Sequence, residues 1–186
     1  MRGLLAMMAL AAALAAAPRP PAFAAQDDPR LDRLFAQLKA APADADTEAL
    51  TDEIWRIWVA SGRSDIDSLM TEGTRSLNLG NLPKALDRFS QIVARAPNFA
   101  EGWNKRATVY YLLGDFDASV ADIERTLVLE PRHFGALSGL GLIYMSLGQE
   151  RAALRAFRKT LDINPHLPAV RERVEALTKK LRGEPI

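Results

Sequence analysis

A fixed period restricts this chain more than any other feature. Three consecutive segments, 66–99, 100–133 and 134–167, align without a gap, and each is 34 residues long. Gly80, Gly114 and Gly148 recur at that interval, and so do Pro97, Pro131 and Pro165. A period held across three copies marks a repeat architecture, in which each unit buries its apolar face only by stacking on the next.

The residues inside each unit say what is stacked. The first half carries apolar or small residues on one helical face: Trp103, Ala107 and Tyr110, or Leu137, Leu140, Gly141 and Tyr144. The glycine then permits the backbone reversal that ends this helix. The second half repeats apolar residues at spacings of three and four, as in Phe116, Val120, Ile123 and Leu127, or Ala153, Leu154, Phe157 and Leu161. The closing proline forbids continuation. The expectation is an all-α chain of helix pairs.

On these residues the sequence resembles the tetratricopeptide repeat (TPR) family. The second unit carries Trp103, Ala107, Tyr110, Gly114, Ser119, Ile123, Thr126 and Pro131, and the third Leu137, Leu140, Gly141, Tyr144, Ala153, Phe157, Thr160 and Pro165. The first carries Leu69, Gly73, Ala85, Phe89 and Pro97, but Ser76 stands where the family usually has Tyr. The resemblance implies a TPR solenoid of stacked antiparallel helix pairs wound into a right-handed superhelix. Residues 168–183 read as a capping helix with Val170, Val174 and Leu177 turned to the last repeat. Residues 27–64 read as an N-terminal helical pair, a degenerate repeat that shields the array, with Thr47 available to cap its second helix. Trp55 and Trp58 lie three apart on that helix, either buried against the first full repeat or exposed as a partner-binding patch.

The N-terminus has the three-part layout of a signal peptide. Arg2 precedes fifteen uncharged residues, Gly3–Ala17, then Pro18, Pro20 and Pro21, and a small-residue "AFA" site ending at Ala24. Fifteen residues fall short of the roughly 20 needed to span a bilayer. Cleavage after Ala24 is the expectation, with the periplasm as destination and no stable membrane insertion afterwards. An uncleaved segment would instead tether an assembly subunit for envelope or cytochrome biogenesis. Without residues 1–24 the chain has 22 basic and 23 acidic residues, which gives no reason to expect nucleic acid. The absence of cysteine excludes disulfides, thiolate metal sites and a Cys nucleophile.

The stretch "GDFDASVAD", 114–122, invites a metal reading. A calcium loop begun at Asp115 places Val120 where glycine is required and Thr126 where the bidentate glutamate is required. Asp115 aligns with Asn81 and Gln149, and Asp117 with Pro83 and Arg151, so these residues open a helix. His133 and His166 sit after the prolines at repeat joints and read as solvent-facing loop residues. No metal, cofactor or catalytic constellation is expected, and the chain does not read as an enzyme.

The expected working surface is the concave groove lined by the first helix of each unit. The resemblance implies groove positions at Met70, Thr74, Leu77 and Asn78, at Asn104, Lys105, Thr108 and Tyr111, and at Leu142 and Met145. Several of these, Leu77 among them, have packing between helices as the alternative. The family's two-carboxylate clamp would fall on Met70, Thr74, Lys105, Gly135 and Gly139, of which only Lys105 is suited to it. The function implied is an adaptor that binds another protein or peptide, its identity open. A self-associating structural protein is the alternative. Residues 27–67 hold ten acids and five bases, and 151–182 hold nine bases and three acids; opposite ends of a rod with opposite sign would favour a homo-oligomer through head-to-tail association, or orient a partner, with ordinary solvated helix faces as the alternative.

Overall fold

A computed structural model describes residues 25–42 and 45–183. The expected signal segment lies outside the described residues. After a single 3-10 turn, Ala25–Asp27, come α1 (Arg30–Ala40), α2 (Glu48–Val59), α3 (Ser64–Asn78), α4 (Leu82–Arg95), α5 (Ala100–Leu113), α6 (Phe116–Leu129), α7 (Phe134–Ser146), α8 (Glu150–Ile163) and α9 (Pro168–Arg182). The described residues contain no strand.

From α3 onward each helix packs on the next, and α3, α5 and α7 also touch in series. The turn inside each pair is made by Gly80, Gly114 and Gly148, with φ of 71°, 77° and 69°, a left-handed conformation that costs a residue with a Cβ. Asn81 and Asp115 then cap the second helices, accepting hydrogen bonds from the amides of Lys84 (3.2 Å) and Ala118 (3.1 Å). Asp115 therefore opens a helix. Asp122 does something the sequence did not show: it holds Arg106 in a two-pronged pair at 2.7 and 2.8 Å, with the guanidinium over the rings of Trp103 and Tyr110. Among the described residues no acidic or histidine group is arranged to hold a metal.

Helices within a pair approach closely because one of them is locally bare. A Cβ on Gly73 would meet the Phe89 ring at 2.6 Å, and one on Gly141 would meet Phe157 at 2.5 Å. Both rings are fully buried. On the far end, Val170 and Leu177 of α9 are buried against Ala153, Leu154 and Phe157, with Val174 partly buried beside them.

The N-terminal pair does not stack on the first repeat. Leu31, Leu34, Phe35 and Leu38 of α1 and Ile54, Ile57 and Trp58 of α2 form one core with Phe134, flanked by Ile163 and Leu167. The segment runs along the edge formed by the three repeat joints. Gln26 donates to the Asn98 carbonyl (2.7 Å), Asp32 pairs with Arg132 (2.6 Å), and His166 Nε2 lies 3.1 Å from the Leu38 carbonyl oxygen. Asn98, Arg132 and His166 are equivalent positions, 34 residues apart. The reason is apolar area: Leu31, Leu38 and Ile54 are fully buried in this shared core, at roughly 1.5–3 kcal/mol per buried side chain. Thr47 makes no capping bond; Asp46 accepts from the Glu48 amide instead (3.1 Å).

This packing also brings the acidic N-terminal pair beside the basic C-terminal region. Asp46, Glu48 and Asp52 line one pocket with His166 and Arg171. The two charge-rich segments are thus not at opposite ends of a rod. No helix of the described residues is long and apolar enough to cross a membrane.

Two glycines of α7 test the packing account. Gly141→Ala is expected to cost about 1–3 kcal/mol because its methyl meets Phe157. Gly139→Ala, whose methyl would sit 3.6 Å from Ile123, is expected to be neutral or to stabilise by up to about 1 kcal/mol through helix propensity. Urea unfolding of the two variants measures both.

Candidate protein-binding groove

The inner face of the array holds two cavities. One of about 250 Å³ lies between α5 and α7 and is lined by Asn104, Thr108, Tyr111 and Leu142, with Ser138 and Gly139. The other, of about 930 Å³, is lined by Met70, Thr74 and Asn78 of α3, Lys105 of α5, and Arg56, Val59 and Ala60 at the end of α2. Eight of the ten residues expected in the groove therefore border a cavity, in two groups. The other two do not. Leu77 packs against the core around Phe89 and Val109, and Met145 is exposed, 40% accessible, away from both cavities. Met70 and Asn104 are themselves mostly buried, and Asn104 Nδ2 is taken up by Glu101.

Between the cavities lies a polar cluster under α2. Glu101, at the start of α5, is fully buried; its Oε2 accepts from Asn104 Nδ2 (2.9 Å) and lies 2.9 Å from His133 Nε2, and Lys105 Nζ stands 3.3 Å from Oε1. His133 is completely buried, which corrects the expectation of a solvent-facing loop residue. Its Nδ1 accepts the Ala136 amide (3.1 Å) and caps α7, which leaves the proton on Nε2 to be donated to Glu101. The Trp58 ring is stacked on the imidazole, 4.1 Å between centroids and 11° from parallel. Trp55 stands edge-on to both Trp58 and His133, and Lys105 Nζ lies 6.0 Å from the Trp55 ring.

Trp55 approaches α7 where Gly135 offers no side chain; a Cβ there would lie 2.6 Å from the indole. Both tryptophans thus pack on the joint between the second and third repeats, not on the first full repeat. Burial pushes the Glu101 carboxyl up, but the hydrogen bonds from His133 and Asn104 and the Lys105 ammonium more than offset it, and the group is held below its ordinary value.

With this geometry, the comparisons with known proteins are decisive at the level of family. The tetratricopeptide repeat model matches residues 70–125 and 107–168. A TPR repeat-containing protein of Rhizobium etli is 38% identical over 154 residues, covering 83% of this chain and 76% of that protein. The chain belongs to the tetratricopeptide repeat family. A heat-shock protein cognate co-chaperone of Aspergillus fumigatus is 25% identical over 75% of the chain, but only 42% of its own length is covered. Among solved structures, the Sgt2 TPR domain from Aspergillus fumigatus superposes with a TM-score of 0.60 at 24% identity, covering 67% of this chain and 87% of that one. The first TPR of Spaghetti (RPAP3), solved bound to the HSP90 peptide SRMEEVD, gives 0.60 at 18% identity, covering 63% and 93%. These structures support the fold, a TPR solenoid.

The Glu101–His133–Trp58 cluster escaped the sequence reading because each partner lies in a different helix pair and none shares a motif. In this TPR protein the groove face over the second and third repeats is partly roofed by α2, and the sign of the Glu101 shift makes that roof acid-sensitive. The carboxyl is lowered in the folded state, so its stabilisation is present above its ordinary value near 4.5 and is lost as pH falls through the lower folded value. Glu101→Gln is expected to lower stability at neutral pH and to flatten the acid limb. Tryptophan fluorescence and circular dichroism followed from pH 7 to about pH 3 measure it.

Proposed function

We propose that this TPR protein is an exported, periplasmic adaptor that holds a segment of another protein in its concave face and performs no catalysis. The observation that carries the reading is the pair of cavities on the first-helix face, which gather Met70, Thr74, Asn78 and Lys105 in one and Asn104, Thr108, Tyr111 and Leu142 in the other. Their mixed lining, apolar with a few polar groups, suits an extended segment or an amphipathic helix. TPR relatives solved with peptides, such as the HSP90 peptide on Spaghetti and the pHsp70 complex of the yeast Sti1 TPR2B domain, support peptide binding as the mode. The layout of residues 1–24 supports export.

Tyr111→Ala and Leu142→Glu alter one cavity without touching the Glu101 cluster. Partners recovered from the periplasm with the native chain are expected to be lost with both variants and kept with Val128→Ser, an exposed change on α6. Recovery of the same partners by all three variants would remove the groove from the proposal. Mass spectrometry of the exported protein is expected to find an N-terminus at residue 25.

A further inference from the structure

Five of the six large hydrophobic side chains exposed among the described residues lie on one edge of the array. Leu79, Leu113 and Leu147 each precede the glycine of a turn, at 78%, 48% and 46% exposure, and Leu112 and Met145 stand in the last turns of α5 and α7. The sixth, Val128, is on α6. None of the five belongs to a core cluster, so packing does not call for an apolar residue at these places. The helices α3, α5 and α7 touch in series, and each carries its leucine at the glycine-turn end, so the side chains form a row along the array. Leu79, at the far end of it, also borders the larger groove cavity. Cations gather at the other end. The last turn of α9 reaches this edge: Lys180 pairs with Glu150, and Leu181 borders a cavity of about 440 Å³ with Gly148, Arg151 and Arg155. Residues 148–159 and 175–183 together hold seven bases and two acids, Glu150 and Glu175. Glu150 is taken by Lys180, and no acid among the described residues forms an ion pair with Arg151, Arg155 or Lys179.

We propose that this edge is a peripheral membrane contact, in which the exposed leucines of the second and third repeats enter the headgroup region of an anionic bilayer and the basic corner of α8 and α9 lies on its phosphates. Apolar side chains beside cations suit such a surface, because burial of the first and attraction of the second add. A nucleic acid would use the cations and leave the leucines in water. A second copy has no acidic counterpart to offer at either end of this edge, since Arg75 and Lys84 stand at the end away from the basic corner. Five such side chains also expose only on the order of a few hundred Å², short of the roughly 800 Å² per partner that a stable dimer buries. Asp115 and Asp117 put negative charge at the middle turn, so the contact tilts toward the third repeat and α9. This surface lies outside the groove cavities that carry the adaptor reading and does not depend on them.

The test uses the chain from residue 25, which carries every described element, because the apolar segment Gly3–Ala17 would bind lipid by itself. It is sedimented with vesicles of phosphatidylcholine containing about one-third phosphatidylglycerol, and with vesicles of phosphatidylcholine alone. The anionic vesicles are expected to carry down about fivefold more protein or better, and binding is expected to fall between about 0.05 and 0.5 M salt. Leu113→Ser with Leu147→Ser, and separately Arg155→Gln with Lys179→Gln, are each expected to reduce it about three- to tenfold with circular dichroism unchanged. Tyr111→Ala, in the groove, is expected to bind vesicles as the native chain does. Equal binding to both vesicle types, or a leucine pair that makes no difference, would overturn the proposal. So would full competition by millimolar inorganic phosphate at constant ionic strength, which marks a small-anion site. A dimer in light scattering that the leucine pair abolishes, with no vesicle binding, would overturn it in favour of a second copy. Absence of vesicle binding while native partners are still recovered, and lost with Tyr111→Ala, would sink this inference alone and leave the groove reading standing.

Discussion

Everything in this molecule depends on how closely the two helices of a repeat can approach. Phe89 lies on the bare backbone of Gly73 and Phe157 on that of Gly141, and no Cβ fits at either place. The second repeat uses Ala107 against Ile123 in the corresponding core. The contact is small-against-large each time, so the two helices of every pair pack directly on each other, and the pairs stack in series. The first helices then share one face, and the cavities open on it. A change at these positions moves the groove without touching a groove residue.

How much of this was legible in the sequence follows the range of the interaction. The repeat helices were readable because their signals are local: a glycine able to take φ near 70°, a proline past the end, apolar residues three and four apart. Tyr111 and Thr108 could be placed in the groove because the register carried them there. Leu77 and Met145 show the limit, since register says which way a residue points but not whether a neighbour covers it. His133 was misread because an isolated histidine beside a proline looks like loop. Only the arrival of α2 from 75 residues upstream buries it, and Trp58 carries no mark of its destination.

The buried Glu101–His133 pair illustrates why such a seam is specific as well as apolar. A carboxylate out of water needs partners, and here Oε2 has Asn104 of α5 and His133, which caps α7, while Oε1 has the Lys105 ammonium. Trp58 closes the cluster from above. The aromatic stack and the polar contacts each require the other: the indole excludes water, and the hydrogen bonds hold the imidazole flat against it.

The line of contacts from Gln26 to Leu38 has a mechanical meaning. A free stack of helix pairs is elastic, because each joint bends a little and the small rotations add along the array. Here the 3-10 turn touches Asn98, and α1 touches Arg132 and His166, the same point on three successive joints. A helix has a fixed rise of about 1.5 Å per residue, so it cannot stretch to follow a change in pitch. It works as a splint on a spring. α1 thus fixes the spacing of the second and third joints along one edge of the array.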